Sequence, residues 1–170
     1  MIIKDVLNNL LNCVPKDIVD ITYVCIGTDR SIGDSLGPMV GTILNYNNLM
    51  VYGTIESPVH ALNVFEYVDK LKEEKAEYVV AIDACIGTDK GEIKFRNGSI
   101  KPGAGAGKKL PRVGDVSVVG IVESDSCFIH SCRLFTIMKM AEDIADTIIE
   151  FERIRKKQHE KKIYFSEMLW

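Results

Sequence analysis

Residues 21–38, ITYVCIGTDRSIGDSLGP, and residues 78–91, YVVAIDACIGTDKG, decide the fold. Each opens with a short apolar run and leaves it through an acidic loop. Runs of this length read as buried strands of a parallel sheet. Open parallel sheets gather their functional groups outside the carboxyl ends of the strands. Asp34 stands at the far end of the first loop, and Asp83 closely follows the second run. With the two strands as neighbours, both carboxylates face one crevice, where they can serve as an acid/base pair or hold a metal. Adjacency is the condition, because neighbouring strands lie roughly 4.8 Å apart and distant ones could not bring the acids together.

Outward from these stretches, strand and helix signals alternate. Residues 1–18 read as a short amphipathic helix with Val6, Leu10 and Cys13 on one face. A helix over roughly 35–46 follows the first acidic loop, and MVYGT at 50–54 reads as a strand. Residues 60–74 have helical spacing at Leu62, Phe65, Val68 and Leu71, ahead of the strand at 78–82. GEIKF and SIKP around Asn97-Gly98 read as a hairpin. PGAGAGKKLPRVGD is irregular or opens a short helix, VSVVGIV at 116–122 is a buried strand, and a long helix runs over about 126–158. The expected fold is a three-layer α/β domain, with a mainly parallel sheet and helices on both faces. No domain boundary is visible, so residues 1–170 read as one domain with a charged, then apolar, tail from about residue 153.

The chain has 170 residues, 46% of them hydrophobic, which suffices for a core of one domain. A net charge of -3 gives no sign of nucleic-acid binding. No apolar stretch is long enough to span a membrane. The N-terminal residues lack the basic start and small-residue cleavage site of a signal peptide. Five cysteines, an odd number with no CxxC, point to a reducing cytosol. A homo-oligomer stays open.

The site candidates each have a structural alternative. Asp34 could cap the following helix, and Asp83 could order its loop through an Asx-turn. Their shared sheet edge favours a joint role. Asp29 is a third acid there, and His60, after Glu56-Ser57-Pro58, ends the loop of the second strand. PGAGAGKK fails as a phosphate loop: Pro102 stands where the first glycine is needed and Lys109 where Ser or Thr is needed. Its glycines, Gly103 and Gly105 among them, allow close backbone approach beside the site. His60, Asp29, Gly103 and Gly105 are therefore the candidate substrate contacts. Cys127, His130 and Cys132 lack the second close-spaced pair of a structural zinc site. No G-x-S-x-G is present.

GTDRSIGDSLGP, GTIESPVHALN, AIDACIG and IKPGAGAGKKLP, in this order, resemble the YyaC-type family of sporulation proteins over roughly residues 20–150. That family is similar to the spore germination protease, an endopeptidase that degrades small acid-soluble spore proteins, and more distantly to the hydrogenase maturation endopeptidases. The resemblance implies a phosphorylase/hydrolase-like α/β fold and a peptidase acting in the forespore cytoplasm on a protein or peptide substrate. It carries the germination protease's two catalytic aspartates onto Asp34, in G-D-S-L-G-P, and Asp83, in I-D-A. Its glycine-rich segment falls on Pro102–Lys108. The maturation endopeptidases hold a metal with two acids and a histidine. Asp34 and Asp83 match the acids, while the histidine's place falls in the Gly-rich segment, which has none. The resemblance thus implies an aspartate pair without a cofactor, with a divalent metal and a non-catalytic peptide-binding module as the alternatives.

Overall fold

The computed structural model describes residues 3–103, 109–124 and 132–167. Five strands form one sheet in the order β2-β1-β3-β5-β4: β1 (Ile21–Cys25), β2 (Val51–Tyr52), β3 (Tyr78–Ile86), β4 (Ile93–Arg96) and β5 (Val116–Glu123). β2, β1, β3 and β5 run parallel, and β4 closes one edge antiparallel to β5. The fold is the expected mainly parallel α/β sheet, and β1 and β3 are direct neighbours, with Cys25 in register with Ile82. Among the described residues no helix is long and apolar enough to cross a membrane.

Helices α1 (Lys4–Cys13), α2 (Leu36–Tyr46) and α4 (Leu134–Glu167) cover one sheet face. Their inward residues recur at helical spacing: Val6 and Leu10 on α1, Leu36, Val40 and Leu44 on α2. On α4 the seam runs Ile137, Ala141, Ile144, Ile148, Phe151. These meet Tyr23, Cys25, Val80, Ile82, Val116 and Val118 from the strands. The other face carries Val24, Ile26, Ala81 and Val119, and is covered by α3 (Val64–Glu73) and by Ile100 and Val113.

A buried polar latch ties the central strand to α4. The hydroxyl of Tyr23, fully buried on β1, donates to Glu152 at 2.5 Å. Arg155 pairs with Glu152 at 3.7 Å and donates to the carbonyl of Ile18 at 2.5 Å. The seam thus continues past residue 153, so the expected tail is part of α4 as far as Glu167. Tyr23→Phe should cost about 2 kcal/mol, the scale of a hydrogen bond to a charged group. Arg155→Ala should cost about 3 kcal/mol, because it leaves Glu152 without its cation. Urea denaturation of both variants checks the order.

Several local expectations are corrected. The hairpin about Asn97-Gly98 does not form: β4 pairs instead with β5, and Ile100 bridges Val113. The buried run of β5 offers β4 a longer apolar partner than SIKP does. The helix expected over 60–74 starts only at Val64. Asn63 holds the preceding turn, accepting the His60 N–H at 2.8 Å and donating to the Pro58 carbonyl at 3.0 Å. The buried face is then Val64 and Leu71, with Val68 half-buried, while Leu62 and Phe65 are 84% and 54% exposed. β3 runs past residue 82 to Ile86, because β5 pairs with it up to Glu123. β2 is shorter than 50–54, ending at Tyr52 before Gly53 turns the chain with φ +93°. The described part of the last helix begins at Leu134, and the start expected near 126 lies outside the described residues.

Candidate functional site

The site is built at the carboxyl ends of β1 and β3. Beyond β1 the backbone is pinned on both sides: the Ile26 N–H donates to Ile82 at 2.7 Å and the Gly27 N–H to Val59 at 2.8 Å. The loop then returns on itself, with the Thr28 N–H donating to the Asp34 carbonyl at 3.0 Å. A 3-10 turn, Gly33–Ser35, carries Asp34 into α2. Two glycines make this closeness possible. A Cβ on Gly27 would lie 2.0 Å from the Asp34 carbonyl oxygen, and one on Gly37 would lie 2.0 Å from the Ile26 carbonyl oxygen. The loop and the start of α2 are clasped directly onto the end of β1.

Asp83 lies within β3, one residue beyond the Cys25–Ile82 pair and in register with Val119. By strand alternation it shares a sheet face with Val79, Ala81 and Cys85. Both acids are half-buried. Burial, and next the charge of Asp34, push the Asp83 carboxyl well above the usual carboxylate range. The Ala84 N–H, donating to Oδ1 at 2.8 Å, pulls the other way and is outweighed. A turn-ordering aspartate would be shifted down, so the Asx-turn alternative accounts for the Ala84 contact but not for the net shift. Ser35, not Asp34, occupies the N-cap position of α2. The structure therefore brings the two acids close enough for one to bear on the other's ionisation.

The remaining candidates fall around this pair. His60 is half-buried and follows Val59, which bridges Ile26, so it sits at the same sheet edge on the β2 flank. Its Nδ1 accepts the Leu62 N–H at 3.2 Å, so one ring nitrogen serves its own turn. Asp29 is exposed on the loop between β1 and the 3-10 turn. Gly103 is exposed, with φ +66°. Gly105, Cys127 and His130 lie outside the described residues. Among the described residues no three His, Cys, Asp or Glu side chains converge in a way that could hold a metal ion. The sequence reading missed Glu123, buried at the end of β5 and paired with Lys90 at 2.5 Å, which fixes the loop beyond β3. A glutamate closing an apolar strand was the available signal.

The family model described as "Protein of unknown function (DUF1256)" matches residues 1–147. The chain belongs to the DUF1256 family. "Uncharacterized protein YyaC" of Bacillus subtilis (strain 168) is 41% identical over 148 residues, covering 81% of this chain and 72% of that protein. Among solved structures, the NiFe hydrogenase maturation protease HybD from Thermococcus kodakarensis aligns with 15% identity over 76% of this chain and 99% of its own, at a TM-score of 0.41. The NiFe hydrogenase maturation protease HycI from Thermococcus kodakarensis KOD1 aligns with 19% identity over 78% of this chain and 91% of its own, at a TM-score of 0.46. In this DUF1256 chain, Asp34 and Asp83 both lie within the matched span.

Proposed function

We propose that this protein is an endopeptidase in which Asp34 and Asp83 act as a pair on one water. The observation that carries the reading is the upward shift of Asp83 beside the charge of Asp34, at the carboxyl edge of two adjacent parallel strands. Two close carboxyls avoid double ionisation and titrate together, with the shared proton favoured on the raised Asp83. In this reading Asp83 serves as the acid and Asp34 as the base.

The chemistry follows from that division. Asp34 takes a proton from water as the water oxygen bonds to the peptide carbonyl carbon. The C–N bond then breaks as Asp83 gives its proton to the leaving nitrogen. Transfer of the captured proton from Asp34 to Asp83 resets the pair. No step requires a metal. The resemblance to sporulation proteins makes small acid-soluble spore proteins the first substrates to try, with the forespore interior as the place of action.

The test incubates the protein with small acid-soluble spore proteins and with an unstructured control protein. It is run in heavy-oxygen water, with and without chelator, and fragments are read by mass spectrometry. Fragments in both arms, each new carboxyl terminus carrying one heavy oxygen, are expected. Fragments only without chelator would replace this reading with a metal-assisted one. Substrate retained intact would replace it with a binding module.

A further inference from the structure

We propose that the cleft between the end of α3 and the amino ends of β3 and β5 is a binding site for a small aliphatic carboxylate. The cleft measures about 300 Å³, at the small end of the range of ligand pockets. Lys72, Lys75 and Arg112 stand at its rim, and Val68, Val79 and Val113 line it. It lies at the opposite edge of the sheet from Asp34 and Asp83, so it does not depend on the peptidase reading.

The backbone at Lys75 gives the first ground. Lys75 follows α3 with a φ of +52°, in the left-handed region that favours glycine. Its N–H donates to the Lys72 carbonyl at 3.1 Å and the Ala76 N–H to the Leu71 carbonyl at 2.9 Å, a helix-ending turn in which glycine is the usual residue. The chain keeps a long cation there instead. The helix dipole does not require it, because Lys70 and Lys72 already occupy the last turn of α3. Nor do the neighbouring acids hold it. Glu74 is engaged by the Tyr52 hydroxyl at 2.5 Å and by Lys70 at 3.9 Å, and Glu77 accepts the Val19 and Asp20 N–H groups at 2.9 and 2.8 Å. Lys75 is exposed and, among the described residues, has no ion-pair partner.

Charge balance across the cleft gives the second ground. Arg112 lines it from the segment that enters β5, next to the Ile100–Val113 bridge. Its side chain donates to the Ser99 hydroxyl at 3.3 Å and, among the described residues, it too has no ion-pair partner. Lys72 is neutralised by Asp69 at 2.9 Å. The cleft's one acid, Asp115, is fixed by Val79: its carboxylate accepts the Val79 N–H and its N–H donates to the Val79 carbonyl, both at 2.8 Å. Two unpaired cations against one carboxylate leave the cleft with one positive charge. A monoanion balances that charge and a dianion overshoots it. The planar fork of an arginine matches a carboxylate with two parallel hydrogen bonds. The three valines then offer cover for a short hydrocarbon body, whose burial adds affinity with each methylene.

The test follows the backbone amide resonances of the full chain by NMR at neutral pH, with hexanoate, acetate, hexylammonium and inorganic phosphate as separate probes. Hexanoate is expected to move the Val68, Val79 and Val113 resonances saturably, and to bind more weakly as salt rises. Acetate, a head group without the body, should bind at least about tenfold more weakly, the loss of about two buried methylenes. Hexylammonium and phosphate should leave these resonances in place. Arg112→Gln should weaken hexanoate at least about tenfold. Lys75→Gly should weaken it as well, while melting at or above the wild-type temperature because glycine relieves the +52° φ. No saturable shift with hexanoate, equal binding of hexylammonium or phosphate, or an unchanged affinity in either variant would overturn the proposal. A lower melting temperature in Lys75→Gly would also overturn it, by giving Lys75 a role in the fold.

Discussion

Asp83→Asn should abolish cleavage and at the same time stabilise the folded protein at neutral pH. Loss of a general acid or base costs about 100- to 10,000-fold in rate, and Asn retains the side-chain shape without the proton to give. The stability effect has the opposite sign for a reason that can be worked through. Burial and the charge of Asp34 raise the Asp83 carboxyl from its ordinary 3.8. Between that value and the raised one, the folded chain binds more protons than the unfolded chain, so stability falls as pH climbs through the window. Asn cannot ionise and loses nothing there. Below the ordinary value wild type and variant should melt alike; at neutral pH the variant should melt higher than wild type. Asp34→Asn should also abolish cleavage, and by removing the neighbouring charge it should bring the Asp83 titration down. Wild-type activity should fall as pH rises through the Asp83 titration, when the pair loses its shared proton. Calorimetry across pH, paired with the fragment assay, separates a functional acid from a structural one. A variant that loses both activity and stability, or one that cleaves at the wild-type rate, would remove Asp83 from the reaction.

The parts of this molecule that could be read from sequence are those where one signal dominates. The apolar runs at 21–25 and 78–82 could only be buried strands, and their acidic exits fixed where Asp34 and Asp83 would lie. Their adjacency required the topology, which β2-β1-β3-β5-β4 supplies. Local signals failed where a distant partner competed. Asn97-Gly98 is a sound hairpin turn, yet β5 draws β4 away from it. Leu62 and Phe65 fit a helical stripe, yet Asn63 fixes the turn so that the stripe begins at Val64. The upward shift of Asp83 was not legible at all, because it depends on burial and on a charge 49 positions earlier in the chain.

Gly37→Ala should be among the most damaging single changes in the protein, although by helix propensity it ought to help. Alanine in place of glycine inside a helix is worth about 1 kcal/mol. The contact at this position works against it. A Cβ on Gly37 would sit 2.0 Å from the Ile26 carbonyl oxygen and 2.8 Å from the Ile26 carbonyl carbon and nitrogen. All three are backbone atoms of the segment that leaves β1, so no rotamer change relieves the clash. Either the start of α2 lifts off the sheet or the end of β1 moves, and Ile26 is held by its bond to Ile82. Overpacking of this kind costs about 1–3 kcal/mol, which outweighs the propensity gain. Lifting α2 also carries Asp34 away from Asp83, and a displacement of about 1 Å in a reacting group can cost about 100-fold in rate. The variant should therefore melt earlier, cleave far more slowly, and show an Asp83 titration moved back towards that of an isolated carboxyl. Gly87→Ala is the matched control, because its nearest neighbour would be a flexible Ile121 methyl at 3.5 Å. It should stay within about 0.5 kcal/mol of wild type. Equal stability and equal activity in the two variants would show that the clasp of α2 on β1 does not position the acid pair.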